Sequence, residues 1–465
     1  MRPAAITFAA VVAVALPAGG CDDDGGSGAS SNSSEVGAAA PASEIIPQPP
    51  HAQLEAAGLS SFPFAPESKR IDLVAPTFSH PTEISNPLNP VSEIDSAIVL
   101  GEVDGEPLRI EITLLPETRF VEWNGQVVET RVSQFVAYRD GHMKEVALDL
   151  FAQADGGDVW YFGEDVFNYE EDGHIADMEG AWLAGRDGPP GIITPANPEP
   201  GDAYRSENIP GLVFEESTVK ATNRTVAGPQ GPIDGAFVID EHHPDGPEIK
   251  KWAPGYGEFF TRSRHDVERM ALAVPIDALS EPLPAELETI SVAAQEIFDA
   301  PEPLGWHAAS RSVDEAAAAW TSIRGPDVPQ LLRAQMDTAV DQLKRAVARK
   351  LVDTRRAAVA VAVASLDLQL RHRPPAEMDR ARLDLQAALL EVDAMAGALA
   401  AVRSDVANLE WIRDRIAHTL NASDLSRLDT QLLELIGLTA DRDFTAISET
   451  ASELRSTLAG ARATG

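Results

Sequence analysis

Residues 108–128 read LRIEITLLPETRFVEWNGQVV, and this stretch decides the fold class of the chain. From Leu108 to Leu114 apolar and polar side chains alternate, which is typical of a strand with one buried face. Asn124 and Gly125 then stand between two such runs, and this dipeptide is a strong signal for a two-residue hairpin turn. The stretch therefore predicts an antiparallel hairpin rather than a strand–helix–strand unit.

The same pattern continues on both sides of the hairpin. Short apolar runs at 97–100, 135–138 and 145–151 alternate with Asp-Gly turns. Strands joined by such short turns form an antiparallel meander, because a parallel pair needs a long crossover. We therefore predict an antiparallel β domain, a sheet or partial barrel, over residues 81–275.

The last third of the chain has a different period. Apolar side chains from Leu332 to Leu351 recur at spacings of three and four, which indicates a helix with one buried stripe. We expect one long helix over 328–371 and an up-and-down helical bundle over 328–465. Residues 276–327, which are punctuated by prolines, are expected to form a linker with short helices. The predicted fold class is α+β, with a β domain followed by an α-helical bundle.

The charge balance excludes one large class of function. Among 465 residues there are 73 acidic and 37 basic side chains, and the net charge is −36. Such a chain repels phosphates, so we expect no nucleic acid among its partners. Cys21 is the single cysteine, which excludes an internal disulfide and any zinc or iron–sulfur site built from several cysteines.

Residues 1–21 read MRPAAITFAAVVAVALPAGGC, a short charged start followed by an apolar run too short to span a bilayer. Its end resembles a bacterial lipobox, although the preferred leucine stands at Leu16 rather than three residues before Cys21. The resemblance implies a signal peptide over 1–21, lipidation of Cys21 and a cell-membrane anchor facing the extracytoplasmic side. The alternative is ordinary signal cleavage with an incidental cysteine. Residues 22–80 lack apolar periodicity and are expected to be a flexible linker.

Three further segments carry a second resemblance. They are VWYFGED at 159–165, EGAWLAGRDG at 179–188 and APGYGEF at 253–259. In this order they resemble a family of bacterial secreted or lipid-anchored proteins of unassigned function, with a β domain and a helical C-terminal region. The last segment is also similar to the end of periplasmic β domains that curve around an apolar groove. The resemblance implies a fold but no activity.

Aromatic side chains of the β domain are the candidate ligand-binding residues. These are Trp160, Phe162, Trp182 and Trp252. A curved sheet offers one concave face, where such rings can contact a small apolar molecule. Their alternative role is core packing, which the sequence favours, because large aromatics in a strand are usually buried.

Enzyme signals are sparse. Glu164 and Asp165 are adjacent carboxylates beside aromatic residues, a combination that can supply an acid and a base. Successive residues of a strand point to opposite faces, however, so the pair is not expected to hold one substrate. Nucleophile-elbow, phosphate-loop and zinc-protease motifs are absent from the sequence.

Two groups of residues are candidate metal ligands. Glu410, Asp414 and His418 recur every four residues and would share one helix face, where Asp367 and His372 of a neighbouring helix could complete a site. The alternative is a solvated face with surface ion pairs. The second group is the adjacent pair on a predicted strand, His242 and His243.

The leading hypothesis is a lipid-anchored cell-envelope protein of the binding type, without catalysis and without a cofactor. Its partners would be the membrane, through the anchor, and a protein or an apolar small molecule held by the β domain. One alternative is a metal-binding envelope protein that uses the helical carboxylates and histidines. The other is a hydrolase with an unfamiliar acid–base pair.

Overall fold

The computed structural model describes residues 44–244, 246–300, 305–351 and 353–460, which all belong to one compact unit. The predicted signal peptide, Cys21 and the first part of the predicted linker lie outside the described residues. The strands are β1 (Ser96–Val103), β2 (Glu106–Trp123), β3 (Gln126–Arg139), β4 (His142–Gln153), β5 (Val159–Tyr169), β6 (Ile175–Asp177), β7 (Trp182–Leu183), β8 (Gly191–Thr194), β9 (Ala203–Ile209), β10 (Val213–Ala227), β11 (Pro232–His243), β12 (Gly246–Ala253), β13 (Gly257–Arg262) and β14 (Asp266–Val274). The helices are α1 (His51–Ala56), α2 (Ala285–Phe298), α3 (Trp306–Ile323), α4 (Gln330–Arg349), α5 (Thr354–Gln369), α6 (Pro375–Met395), α7 (Leu399–Ile416), α8 (Ala422–Asp441) and α9 (Phe444–Gly460).

The described strands form one antiparallel sheet that does not close. Its order is β6-β5-β4-β3-β2-β1-β14-β13-β12-β11-β10-β9, and β7 and β8 both pair with β5. Most neighbours in space are also neighbours in sequence, as a meander requires. The α+β prediction is confirmed, with the sheet first and the helices after it.

The hairpin that decided the prediction lies at the centre of this sheet. Trp123 pairs with Gln126 across the turn, and the φ angles of Asn124 and Gly125 are 52° and 73°. Positive φ at both positions gives a turn whose twist matches that of the strands, and asparagine and glycine adopt it at low cost.

The sheet curves until its two ends approach each other. A Cβ atom on Gly191 in β8 would lie only 2.1 Å from the carbonyl oxygen of Ser206 in β9, so only glycine allows this approach. The edge of β9 is covered by a preceding segment, in which the Ile71 amide donates to the Ala203 carbonyl at 2.9 Å. Covering an edge in this way prevents pairing with other chains.

That covering segment corrects the prediction of a flexible linker over 22–80. Within its described part, Ile46 and Leu59 are buried, and Ile46 packs in the aromatic core of the sheet. Irregular backbone has no periodicity to reveal this burial, so composition alone suggested a tether.

Residues 276–327 also differ from the predicted linker. The helices α2 and α3 pack on the convex side of the sheet, where Ile98 and Leu272 share one core with Ile290 and Trp320. The helical region therefore begins at α2 and shares a core with the strands. None of the helices described here combines the length and the apolar character needed to cross a bilayer.

Candidate functional site

A cavity of about 390 Å³ lies on the concave side of the sheet, and we call it the inner cavity. Strands near both edges of the sheet, such as β5 and β9, contribute to its wall, because the curvature of the sheet brings them face to face. Asn89 and Ile94, from the segment before β1, complete the wall. The Asn89 side-chain amide donates to Thr194 Oγ1 at 3.1 Å, which ties this segment to β8. The size lies within the usual range for small-molecule sites.

One side of the inner cavity is apolar. Alternate side chains along part of β1 and part of β2 face it, among them Val99, Ile110 and Ile112. Aromatic rings extend this surface; they include Phe135, Phe151, Tyr161, Trp252, Tyr256 and Phe259. An apolar body of moderate size can therefore contact the wall with little loss of hydration.

The other side of the inner cavity is acidic. Seven carboxyl side chains line it, one from each of seven strands: Asp149, Glu164, Glu207, Glu215, Glu248, Glu258 and Glu268. Lys250 is the single basic residue among the lining residues. Glu207 is buried and the other six are half-buried. Carboxylates confined in a cavity without matching cations are costly, so this arrangement calls for a physical explanation.

Protonation supplies part of that explanation. Burial raises the pKa of Asp149 and of Glu215 to about 7, and neighbouring carboxylates add to the shift. Burial also raises the pKa of Glu268 to about 8, together with the nearby Glu258. Desolvation disfavours the charged form of a carboxyl and keeps it neutral near pH 7.

Hydrogen bonds hold several of these carboxyls in place. Tyr161 donates to Asp149 at 2.8 Å, Trp182 Nε1 donates to Glu207 at 2.9 Å and Ser206 donates to Glu215 at 2.8 Å. Lys250 Nζ lies 2.5 Å from Glu241 Oε2 and 4.0 Å from Glu258 Oε2. The lysine charge is thus shared between these two carboxyls.

The structure separates the four candidate aromatic residues. Trp160, Phe162 and Trp182 pack in the core of the sheet and do not line the inner cavity. Trp252 belongs to the same core and also contributes to the cavity wall. Three of the four are therefore packing residues, and one is positioned to touch a ligand.

Glu164 and Asp165 diverge, as strand alternation requires. Glu164 lines the inner cavity, whereas Asp165 accepts a hydrogen bond at 2.7 Å from Arg119 Nη1 on the partly exposed outer surface. The two carboxyls therefore cannot act together on one substrate.

The candidate metal ligands remain apart. Glu410 and His418 are exposed, and Asp414 pairs with Arg413 at 2.9 Å. Among the residues that the structure describes, no group of three or more acidic, histidine or cysteine side chains is arranged to hold a metal ion. The other four candidates have these partners: Asp367 binds Arg109 and Arg382, His372 contacts the Glu281 carbonyl, His242 packs near Phe62 and His243 lies 3.6 Å from Glu248.

Buried charges on the convex side of the sheet form the joint network, in which each carboxylate has a guanidinium partner. Its members are Arg109 and Glu111 of β2, Asp367 of α5, Asp379 and Arg382 of α6, and Arg415 of α7. Arg109 donates to Asp367 at 2.6 Å, and Arg415 donates to Glu111 at 2.6 Å. Three positive and three negative side chains thus link the sheet to three helices.

A larger cleft of about 900 Å³ runs between this side of the sheet and the helices α4 to α7. Asp393 and Asp405 form part of its wall, and burial and the neighbouring Asp393 raise the pKa of Asp405 well above its usual value. Asp393 is fully buried, and Arg356 donates to it. A general base must reach the proton that it removes, so this burial favours a structural role for the pair.

Sequence reasoning missed most of the inner carboxyls. Glu207, Glu215, Glu258 and Glu268 occupy strand positions that face inward, where an apolar residue is expected. The sequence does contain one indication. An acidic residue two positions from a buried apolar residue of the same strand faces the same side of the sheet, as Glu268 and Met270 do. This pattern identifies the inner carboxyls only when the inward-facing positions of each strand are known.

Comparison of the chain with models of protein families, with curated proteins and with solved structures found no match. The resemblance to secreted or lipid-anchored bacterial proteins therefore stays a prediction. The function has to be inferred from the geometry and charge of the inner cavity.

Proposed function

We propose that the protein is a binding protein of the cell envelope that holds a small apolar molecule in the inner cavity. The observation that carries the proposal is the cavity of about 390 Å³ with an apolar and aromatic wall on the concave side of the sheet. Pockets of this size and lining are the usual sites for small organic ligands. Lipidation of Cys21 would anchor the protein at the membrane.

The inner cavity is a better candidate than the larger cleft. Arg109, Glu111 and Arg382 of the joint network line the cleft, and the network pairs them with groups of opposite sign and connects the sheet to the helices. The carboxyl groups of the inner cavity outnumber the basic groups beside them, and such an imbalance is a feature of functional sites. The metal-binding alternative has less support, because the described residues hold no suitable group of ligands.

A fluorescent probe tests this proposal. N-phenyl-1-naphthylamine is apolar and becomes brighter in a dry pocket, so the purified protein should bind it and 1-decanol should displace it. Val99→Phe fills part of the cavity from β1 and should weaken binding of the probe at least tenfold. Val127→Phe, at an exposed position of β3, is the matched control and should leave it unchanged.

Two results would contradict the proposal. One is the absence of any saturable binding of the probe. The other is equal binding by the protein with Val99→Phe and the protein with Val127→Phe, which would place the probe elsewhere on the molecule.

A further inference from the structure

We propose that the molecule held in the inner cavity is an organic cation, an amine or ammonium compound with an apolar body. The inference rests on the proposed function, because it names the ligand class of the same cavity. It follows from the charge of the cavity wall, the placement of the carboxyls on seven strands and the aromatic rings beside them.

The first step is the charge of the wall. Lys250 lies between Glu241 and Glu258, and His243 lies 3.6 Å from Glu248. The other five carboxyls of the wall have no ion-pair partner in the described part of the chain. A buried carboxylate is stable only when it is paired or when it takes up a proton. An anionic ligand would add to the imbalance, whereas a cation would reduce it.

The second step concerns the kind of cation. The carboxyls come from seven different strands and surround the cavity instead of converging on one point. Calcium and magnesium need several oxygen atoms about 2.0–2.6 Å from one centre. The described residues offer no such group. An ammonium group on an apolar body needs one or two carboxylates and a contact surface for the rest of the molecule.

The third step is the aromatic wall, which includes Tyr161, Tyr256 and Phe259. Ring faces attract ammonium groups, and the attraction strengthens when water is excluded. The same rings provide apolar contact for the body of the ligand. Carboxylates and ring faces can therefore bind the positive charge of an organic cation and also contact its apolar body.

Proton release should accompany binding. A cation in the cavity favours the charged form of carboxyls whose pKa burial has raised, such as Asp149, Glu215 and Glu268. The further charged or titratable groups that face the seven carboxyls are Glu145, Tyr161, Glu241, His243, Lys250 and Asp266.

Three probes of equal chain length test the inference by displacement of N-phenyl-1-naphthylamine at pH 7 and low salt. Decylamine is positively charged, 1-decanol is neutral and decanoate is negatively charged. We expect decylamine to bind at least tenfold more tightly than 1-decanol, and decanoate to bind most weakly. Calorimetry in two buffers of different ionisation enthalpy should show proton release with decylamine and none with 1-decanol.

The double variant Glu215→Gln/Glu268→Gln identifies the groups that respond. It should reduce the preference for decylamine over 1-decanol at least threefold, and a cooperative thermal unfolding transition shows that the variant is folded. Glu122→Gln, at an exposed position of β2, is the matched control.

The possible failures are distinguishable. If 1-decanol binds and decylamine binds no more tightly, the cation inference is wrong and the proposed function stands. If none of the three probes binds, both are wrong. If calcium chloride alone displaces the probe at lower concentrations than decylamine does, the ligand is an inorganic ion and the inference is overturned.

Discussion

The two faces of the sheet differ in how completely their charged side chains are paired. On the convex face, the joint network places three guanidinium groups against three carboxylates. On the concave face, the basic side chains beside the seven carboxyls are Lys250 and, next to Glu248, His243. In β2 the two environments lie one residue apart, because Glu111 belongs to the network while Ile110 and Ile112 line the inner cavity.

The pKa values express the same difference. Burial alone would raise the pKa of Glu111, yet Arg109, Arg382 and Arg415 hold it well below its ordinary value. Burial raises the pKa of Glu268 to about 8, because the positive charge of Lys250 does not compensate for the loss of hydration. Paired charges on the convex face serve the fold. Unpaired carboxyls on the concave face lower stability, and such a cost is typical of functional sites.

Breaking the joint network should give the largest effect. Arg382→Ala leaves Asp379 and Asp367 without one of their partners in the interior. Removing one member of a buried ion pair typically lowers the free energy of unfolding by ~3–5 kcal/mol. Urea denaturation at pH 7 measures this change.

Arg119→Ala is the control for that experiment. Arg119 pairs with Asp165 at 2.7 Å, but both side chains are more than a third exposed to solvent. An exposed pair contributes about 0–1 kcal/mol. Equal losses in the two variants would show that the network is no more important than a surface pair.

The wild-type protein should lose stability as pH rises from about 5 to 8. The folded state holds protons on Asp149, Glu215 and Glu268 that the unfolded chain releases near pH 4–5. Each such proton lowers the free energy of unfolding by ~1.4 kcal/mol per pH unit until the folded-state pKa is passed. The lowered pKa of Glu111 acts only at more acidic pH and does not oppose this trend.

Melting temperatures recorded at intervals from pH 5 to pH 8.5 check this expectation. Decylamine should reduce the fall at high pH, because a bound cation stabilises the charged carboxyls. A stability that is constant or rises over this range would show that the inner carboxyls have ordinary pKa values.

Local patterns were sufficient to predict the fold class. Alternation from Leu108 to Leu114 and the Asn124–Gly125 turn depend on neighbours in sequence, and both proved reliable. The expected single helix over 328–371 is in fact two helices, α4 and α5. The break follows Lys350, which adopts a left-handed backbone with φ of 54° at the end of α4. A non-glycine residue rarely takes this conformation, so the sequence carried no clear signal for it.

The candidate site was harder to predict, because it depends on how the sheet curves. Asp149 in β4 and Glu268 in β14 are far apart along the chain, and they share a cavity only because the strands wrap around it. Sequence pattern identified Glu164 and Trp252, but it could not show that they belong to one wall. The burial of Ile46 was missed for a similar reason, since its partners lie on distant strands.

The central claim is that the inner carboxyls are retained for a cation at the expense of stability. The direct measurement is the free energy of unfolding at pH 8, without ligand, for the wild type and for Glu215→Gln/Glu268→Gln. Glutamine resembles a carboxyl that keeps its proton, so the variant should be clearly more stable than the wild type at this pH. Its preference for decylamine over 1-decanol should also fall at least threefold. A variant that is less stable than the wild type would contradict the account, because the carboxyls would then be structural.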